Sequence, residues 1–179
     1  MIGPTLETER LILRPAAAED FEAWAAFSAD PEATKHLGGP MERMVAWRSL
    51  CAMTGAWLIR GFSMFSVIER ASGAWVGRLG PWMPEGWPGT EVGWGIAPAF
   101  QRKGYAVEGA TAAIDWAFDN LGWSEVIHLI APANLPSQRV AARLGSTLRG
   151  PGKLPPPLHE SPVEIWAQSR EAWRARRQA

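Results

Sequence analysis

The spacing of apolar residues switches along the chain between the two periods a backbone imposes, about 3.6 residues for a helix and 2 for a strand. A short apolar run, Leu11-Ile12-Leu13, is stopped by Pro15 and reads as a strand. Phe21, Trp24 and Phe27 then recur at helical spacing, and Pro31 ends that helix. Over residues 41–57 a second helical pattern puts Met44, Trp47 and Cys51 on one face. From there the period changes. FSMFSVIER and AWVGRL pattern as paired strands about the turn-rich RASG, and after the loop PWMPEGWPG comes TEVGWGIA as a further strand.

Residues 104–121 carry a helical stripe of Val107, Ala110, Ile114, Ala117, Phe118 and Leu121, with Gly122 placed as the C-terminal cap. SEVIHLIAP is a near-continuous apolar strand, the pattern expected where both faces are covered. A short helix over residues 136–144 is closed by Gly145, VEIWAQS reads as a strand, and REAWRARRQA as a basic helical tail. The proline-rich GPGKLPPPLHESP sits between elements and reads as a long loop. With no repeat and no linker-like stretch, one domain over residues 1–179 is expected.

Composition narrows the classes. The chain has 179 residues, 47% hydrophobic and 20% charged, as an ordinary globular protein does. Such a length buries roughly 70% of the unfolded surface. A net charge of zero gives no electrostatic footprint for nucleic acid or an anionic membrane, so neither is an expected partner. A lone cysteine, Cys51, allows no intrachain disulfide, fits a reducing compartment and reads as a core residue. The N-terminal MIGPTLETERLILRP lacks a secretory pattern and no apolar run spans a bilayer, so a cytoplasmic protein is expected. Eleven tryptophans accompany one tyrosine; most read as core, whereas Trp82 and Trp87, in a Pro/Gly loop, suit either local packing or anchoring of a ligand or a partner.

The densest chemical signal is IAPAFQRKGYAVEGA, where a strand ends at Pro98 and a basic, glycine-containing turn opens directly into a helix. A helix start carries unpaired N–H groups and partial positive charge, so this turn suits an anion. A Walker loop, G-x-x-x-x-G-K-[ST], is absent. Gly93-Trp94-Gly95 is followed by Ile96, Ala97 and Pro98, which breaks a G-x-G-x-x-G fingerprint. His36, His128 and His159 are isolated, H-E-x-x-H and G-x-S-x-G do not occur, and His128 within its apolar strand reads as a satisfied core histidine; no metal is expected.

Two motifs remain, Gln101-Arg102-Lys103-Gly104-Tyr105-Ala106 after a strand and, some thirty residues on, NLPSQRVAARLG with Asn134, Ser137, Val140, Leu144 and Gly145. Together they resemble the GNAT superfamily of N-acetyltransferases, whose phosphate turn is [QR]-x-x-G-x-[GA]. The closer likeness is to the branch of ribosomal-protein alanine and serine N-acetyltransferases. TERLILRP and EVGWGIAP are similar to that branch too, and the likeness spans residues 8–173. It implies an α/β (α+β) fold in which a central mixed, mostly antiparallel sheet with splayed central strands is flanked by helices. It also implies acetyl-CoA as cosubstrate. Backbone N–H groups over Arg102, Lys103, Gly104, Tyr105, Ala106 and Val107 would cradle the pyrophosphate, with Gln101 in the same turn. The pantetheine arm would lie between residues 91–97 and 124–131, held near Ile96 and Ala97 and by Asn134, which also suits a helix cap.

The implied chemistry is direct attack of an amine on the thioester. Glu91 is the first candidate for general base and Glu164 the second. An N–H near Ala97 is the oxyanion donor, and Ser137 protonates the departing thiolate. Many relatives use a later tyrosine for that step; here Tyr105, inside the turn, is the sole one. The acceptor is expected to be a protein or peptide N-terminal α-amine, with a small-molecule amine or a non-catalytic acyl-CoA sensor as alternatives, in a monomer or homodimer. By analogy with that fold, residues 33–44 and 150–161 would line the acceptor side.

Overall fold

In the computed structural model, which describes residues 2–178, one eight-stranded sheet runs from edge to edge. Its order is β1 (Leu6–Glu7), β2 (Leu11–Arg14), β3 (Phe65–Glu69), β4 (Trp75–Trp82), β5 (Glu91–Ile96), β6 (Glu125–Ile130), β8 (Val163–Ser169), β7 (Thr147–Gly152). Every ladder is antiparallel except that between β5 and β6. The mixed, mostly antiparallel sheet expected from the motifs is therefore present. Helices α1 (Phe21–Ala29), α2 (Pro31–Thr34) and α3 (Arg43–Arg60) precede β3; α4 (Tyr105–Asn120) connects the parallel pair; α5 (Leu135–Leu144) and α6 (Arg170–Gln178) follow.

The two faces of the sheet are covered differently. Helix α4 turns Ala110, Ala113, Ile114, Ala117 and Phe118 onto one face, all buried. Its small residues let it close on the sheet: a Cβ on Gly109 would lie 2.6 Å from a Leu79 methyl. Ile114, fully buried, contributes about 1.5–3 kcal/mol on that interface. On the opposite face Trp24 and Phe27 of α1 pack on Trp75, with Leu50 and Met53 of α3 and Met64 completing the cluster.

Three expectations are corrected. Helix α3 buries Ala46, Leu50, Met53 and Trp57, while Met44 and Trp47 are exposed, as is Cys51. Both rows of α3 have three- and four-residue spacing, and the sheet selects the row ending in Trp57, which packs on Phe65. Trp47 instead meets the edge of Phe21 at 4.9 Å. The expected loop from Gly150 begins later, because residues 147–152 pair with β8 as an edge strand. Its Gly-Pro-Gly stretch lacks alternation, and a register shift between Leu148 and Gly150 accommodates it, as an edge permits.

Candidate functional site

The site begins where β5 and β6 part. The two strands share a single register pair, Glu91 with Ile127, and the Ile127 N–H reaches the Thr90 carbonyl at 3.0 Å. A parallel ladder would continue with the Leu129 N–H on the Val92 carbonyl. Two side chains intercept that bond. The Leu129 N–H donates to Glu91 Oε1 (3.2 Å), and the Val92 carbonyl accepts from His128 Nδ1 (2.7 Å). The backbone groups stay satisfied while the strands separate, so the gap is built from Glu91 and His128 themselves.

A carbonyl only accepts, so Nδ1 of His128 carries the proton and Nε2 accepts from Ser146 Oγ at 2.9 Å. Burial lowers its pKa to about 4 against the opposing hydrogen bond to Val92, which leaves a neutral spacer at pH 7. His128 is thus a satisfied buried histidine, with a strap function across the gap that the sequence did not reveal.

A cavity of about 890 Å³ lies at the gap and draws its lining from both faces of the sheet. Toward α5 it is lined by Trp94, Ala133, Asn134 and Ser137; toward α1 and α3 by Arg78, Glu91, Met53, Met64, Trp82 and Trp87. Successive β5 side chains alternate faces, which is why Trp94 and Glu91 look into opposite ends.

Glu91 is 7% exposed. Burial pushes its carboxyl up to about 7; the Leu129 N–H, the Trp87 indole N–H (2.6 Å to Oε2) and the charge of Arg78 limit the rise. Trp87, left open between packing and anchoring, holds the carboxylate, and Trp82 pairs with Glu91 at the end of β4. Ser137 Oγ accepts from Trp94 Nε1 at 3.2 Å, and its own O–H meets no acceptor among the described residues. Asn134, which lines the cavity, caps α5 as its Oδ1 accepts from the Ser137 N–H (3.2 Å), and its Nδ2 meets no acceptor among the described residues. Glu164, the second base candidate, pairs with Ile130 and Pro151 and does not line the cavity.

The basic turn lies outside that cavity. Residues 101–104 are exposed, and Arg102 (φ 61) and Gly104 (φ 86) are left-handed, which turns successive N–H groups outward. The N–H groups of residues 102–107 find no protein acceptor among the described residues. Gln101 Nε2 donates to the Ile96 carbonyl at 3.0 Å and ties the turn to β5. Lys103 Nζ sits over the Phe100 ring at 4.9 Å. Tyr105 is buried, with Ala106 and Val107 half-buried behind it; its hydroxyl donates to Glu69, away from the cavity. Arg10 was not foreseen. It donates to the Lys103 carbonyl (3.0 Å), pairs with Glu108 (2.6 Å) and lies over the Tyr105 ring (4.7 Å), bracing the turn from 93 residues away.

One backbone expectation is corrected. The Ala97 N–H donates to the Val76 carbonyl at 2.8 Å and is already engaged. By the alternation of an antiparallel ladder, Trp94 and Ile96 turn their N–H groups the other way, into the gap, as Val92 does its carbonyl. Of the segments expected on the acceptor side, Lys35, His36, Leu37, Met41, Leu154 and Leu158 line the cavity, but Glu42, Arg43, Lys153 and Glu160 do not. Among the described residues no cluster of His, Cys, Asp and Glu could hold a metal ion, and no helix is long and apolar enough to cross a membrane.

An acetyltransferase (GNAT) domain model matches residues 10–147. The FsC-acetyl coenzyme A-N(2)-transacetylase of Aspergillus fumigatus is 32% identical over 191 residues, covering 95% of this chain and 78% of that protein. An acetyltransferase from Agrobacterium tumefaciens superposes with a TM-score of 0.81 at 32% identity, over 93% of this chain and 95% of that one. The ribosomal-protein-S5-alanine acetyltransferase of Vibrio fischeri shares the fold, with a TM-score of 0.70 at 17% identity over 95% and 98% of the two chains.

Proposed function

The chain belongs to the GNAT acetyltransferase family and is an acyl-CoA-dependent acetyltransferase; from that premise we propose that it acetylates a primary α-amine, most naturally that of a peptide or protein N-terminus, by direct attack in a ternary complex. The observation that carries this reading is Glu91, a buried carboxylate at the parting of β5 and β6 whose pKa is lifted to about 7.

A base of that strength suits some amines and not others. An α-amine, with a pKa of about 7.7–8.0, passes its proton to such a base for about 1 kcal/mol. A lysine ε-amine, near 10.4, costs roughly 4–5 kcal/mol for the same transfer. Acetyl-CoA supplies the activated acyl carbon. Residues 102–107 bind its pyrophosphate through their free N–H groups, and Asn134 Nδ2 and the inward edge of β5 hold the pantetheine arm. Glu91 takes the ammonium proton before attack, the neutral amine then forms the C–N bond, and the proton shed by the tetrahedral adduct leaves through solvent. The N–H of Trp94 or Ile96, in place of Ala97, faces the thioester oxygen. As the C–S bond breaks, Ser137 gives its proton to the thiolate and recovers one through solvent.

A small-molecule amine is the second reading. It is favoured by the relative named as an FsC transacetylase and by the apolar walls that Leu37, Leu154 and Leu158 bring to the cavity. The test follows thiol release from acetyl-CoA with free-α-amine peptides and with lysine peptides whose N-termini are blocked. At pH 7 the α-amine peptides are expected to react roughly a hundredfold faster, with the gap narrowing by about pH 9 as the ε-amine loses its proton. Faster lysine peptides at pH 7 would overturn the α-amine assignment.

A further inference from the structure

The cavity wall holds a guanidinium, that of Arg78, which no carboxylate among the described residues meets at contact distance. Arg78 projects from β4 into the wall beside Met53 and Met64. Its Nη1 meets the Met64 Sδ at 2.8 Å and the Met53 Sδ at 4.0 Å, and the guanidinium lies 5.6 Å from the Trp24 ring centroid. Its Nε and Nη2 have no protein acceptor among the described residues. Several arginines elsewhere find carboxylates, among them Arg14 with Asp20, Arg149 with Glu125 and Arg174 with Asp119. Thioethers and a ring face are soft, weak partners for a cation with five donors.

A guanidinium withdrawn from water costs stability unless it is paired, so such a residue in a cavity wall is arranged for something that arrives. Its geometry matches a carboxylate, which accepts two parallel N–H bonds. Among the described residues Glu91 is the one acidic side chain lining the cavity, against Arg78 and Lys35. The interval between Arg78 and Glu91 is occupied by Met64. Its Sδ touches Nη1, and its methyl carbon lies 2.9 Å from the place a Gly93 Cβ would take, which is itself 3.3 Å from Glu91 Oε1. A molecule that presents an amine to Glu91 and an anion to Arg78 therefore straddles one methionine side chain, a span of a few bonds.

We propose that the acceptor bears a carboxylate within a few bonds of its reacting amine and that Arg78 binds this carboxylate. The proposal rests on the amine-transfer reading above and narrows it to amino acids, either free or as an acidic first residue of a peptide. Arg78 is then the residue that decides between an acid and its uncharged amide. Burial lowers the guanidinium pKa to about 10 against the opposing charge of Glu91, which still leaves it charged throughout the working range of a base near 7.

The test is calorimetric titration of the CoA-saturated protein with matched pairs, alanine against alaninamide and an Asp-first peptide against its Asn-first counterpart. The two arms separate a free amino acid from a peptide source. In one arm or both, the acid is expected to bind at least about tenfold more tightly than its amide, and Arg78→Met should bring that ratio to near one. Methionine suits the surrounding thioethers and removes a desolvated charge, so the variant should melt no lower than the parent. Arg78→Lys, keeping charge without the fork, should give an intermediate ratio and serves if the methionine variant fails to fold. A ratio near one in the parent, a ratio that survives Arg78→Met, or no measurable binding of either acid would overturn the proposal. Thiol release on the same pairs keeps the two readings distinct. Acid-selective binding without turnover of any amine would sink the amine-transfer reading and leave the Arg78 assignment standing; turnover without acid preference would do the reverse.

Discussion

The phosphate-type turn and the acceptor end of the cavity are built on opposite plans. Residues 101–107 form one uninterrupted stretch whose useful groups are backbone N–H donors, aimed by two left-handed residues and the start of α4. The acceptor end is assembled from α3, β4, β5, β6 and four loops, and its useful groups are the side chains of Glu91, Arg78 and Trp87. The first is local and presents N–H donors in one fixed arrangement. The second depends on tertiary placement and can be retuned by single side chains, which is how one fold serves many acceptors.

That contrast is most sharply tested at Glu91. Glu91→Gln keeps one carbonyl, which serves only one of the Leu129 and Trp87 donors as a protonated carboxyl would, and it cannot accept a proton. Turnover should fall by about 10²–10⁴, and the rise of rate with pH through about 7 should disappear. A variant retaining that rise would move the base elsewhere. The same change should stabilise the fold. Burial lifts the folded-state pKa from 4.5 to about 7, so ionisation costs stability increasingly across that interval and by a constant amount above it. Denaturant titrations should show Glu91→Gln ahead by up to about 3 kcal/mol at pH 8 and level with the parent near pH 4.5. A variant less stable at pH 8 would mean the carboxylate is structural.

At the turn the expected loss is in binding. Gly104 sits at φ 86, where a β-branched residue is strained, and its replacement crowds the N–H groups beside it. Gly104→Val should weaken CoA by about ten- to a hundredfold in calorimetry, with little effect on the turnover rate at saturating cosubstrate. Unchanged affinity in a folded variant would remove the turn from the cofactor site. The smallest effect is expected between the two regions, at Ser137, which meets α5, Trp94 and the cavity at once. Ser137→Ala should lower kcat about tenfold and leave the acetyl-CoA KM near its parent value, because thiolate protonation belongs to the transition state. A change confined to KM would make Ser137 an anchor.

Much of this molecule is written in local order. The turn from Gln101 to Ala106, the α4 stripe and the Asn134–Ser137 start of α5 are each complete within about one helical length. There, spacing, capping and unpaired N–H groups follow from covalent neighbours alone. Glu91 was nameable as a base, but its pKa near 7 comes from burial between two strands and an indole 4 residues upstream, none of which a one-dimensional pattern measures. Helix α3 had two rows of equal spacing, and only contact with the sheet chose Ala46, Leu50, Met53 and Trp57 over the row holding Cys51. The engaged Ala97 N–H follows from ladder parity, a property of two strands together. Arg78 and Arg10 belong to the same class. As residues in a sequence they are ordinary cations; the packing of β4 against two methionines, and of residue 10 against residue 103, makes one an unpaired charge in a cavity and the other a brace. Local backbone chemistry is encoded by neighbours in the chain, whereas charge, protonation and strand separation are set by neighbours in space.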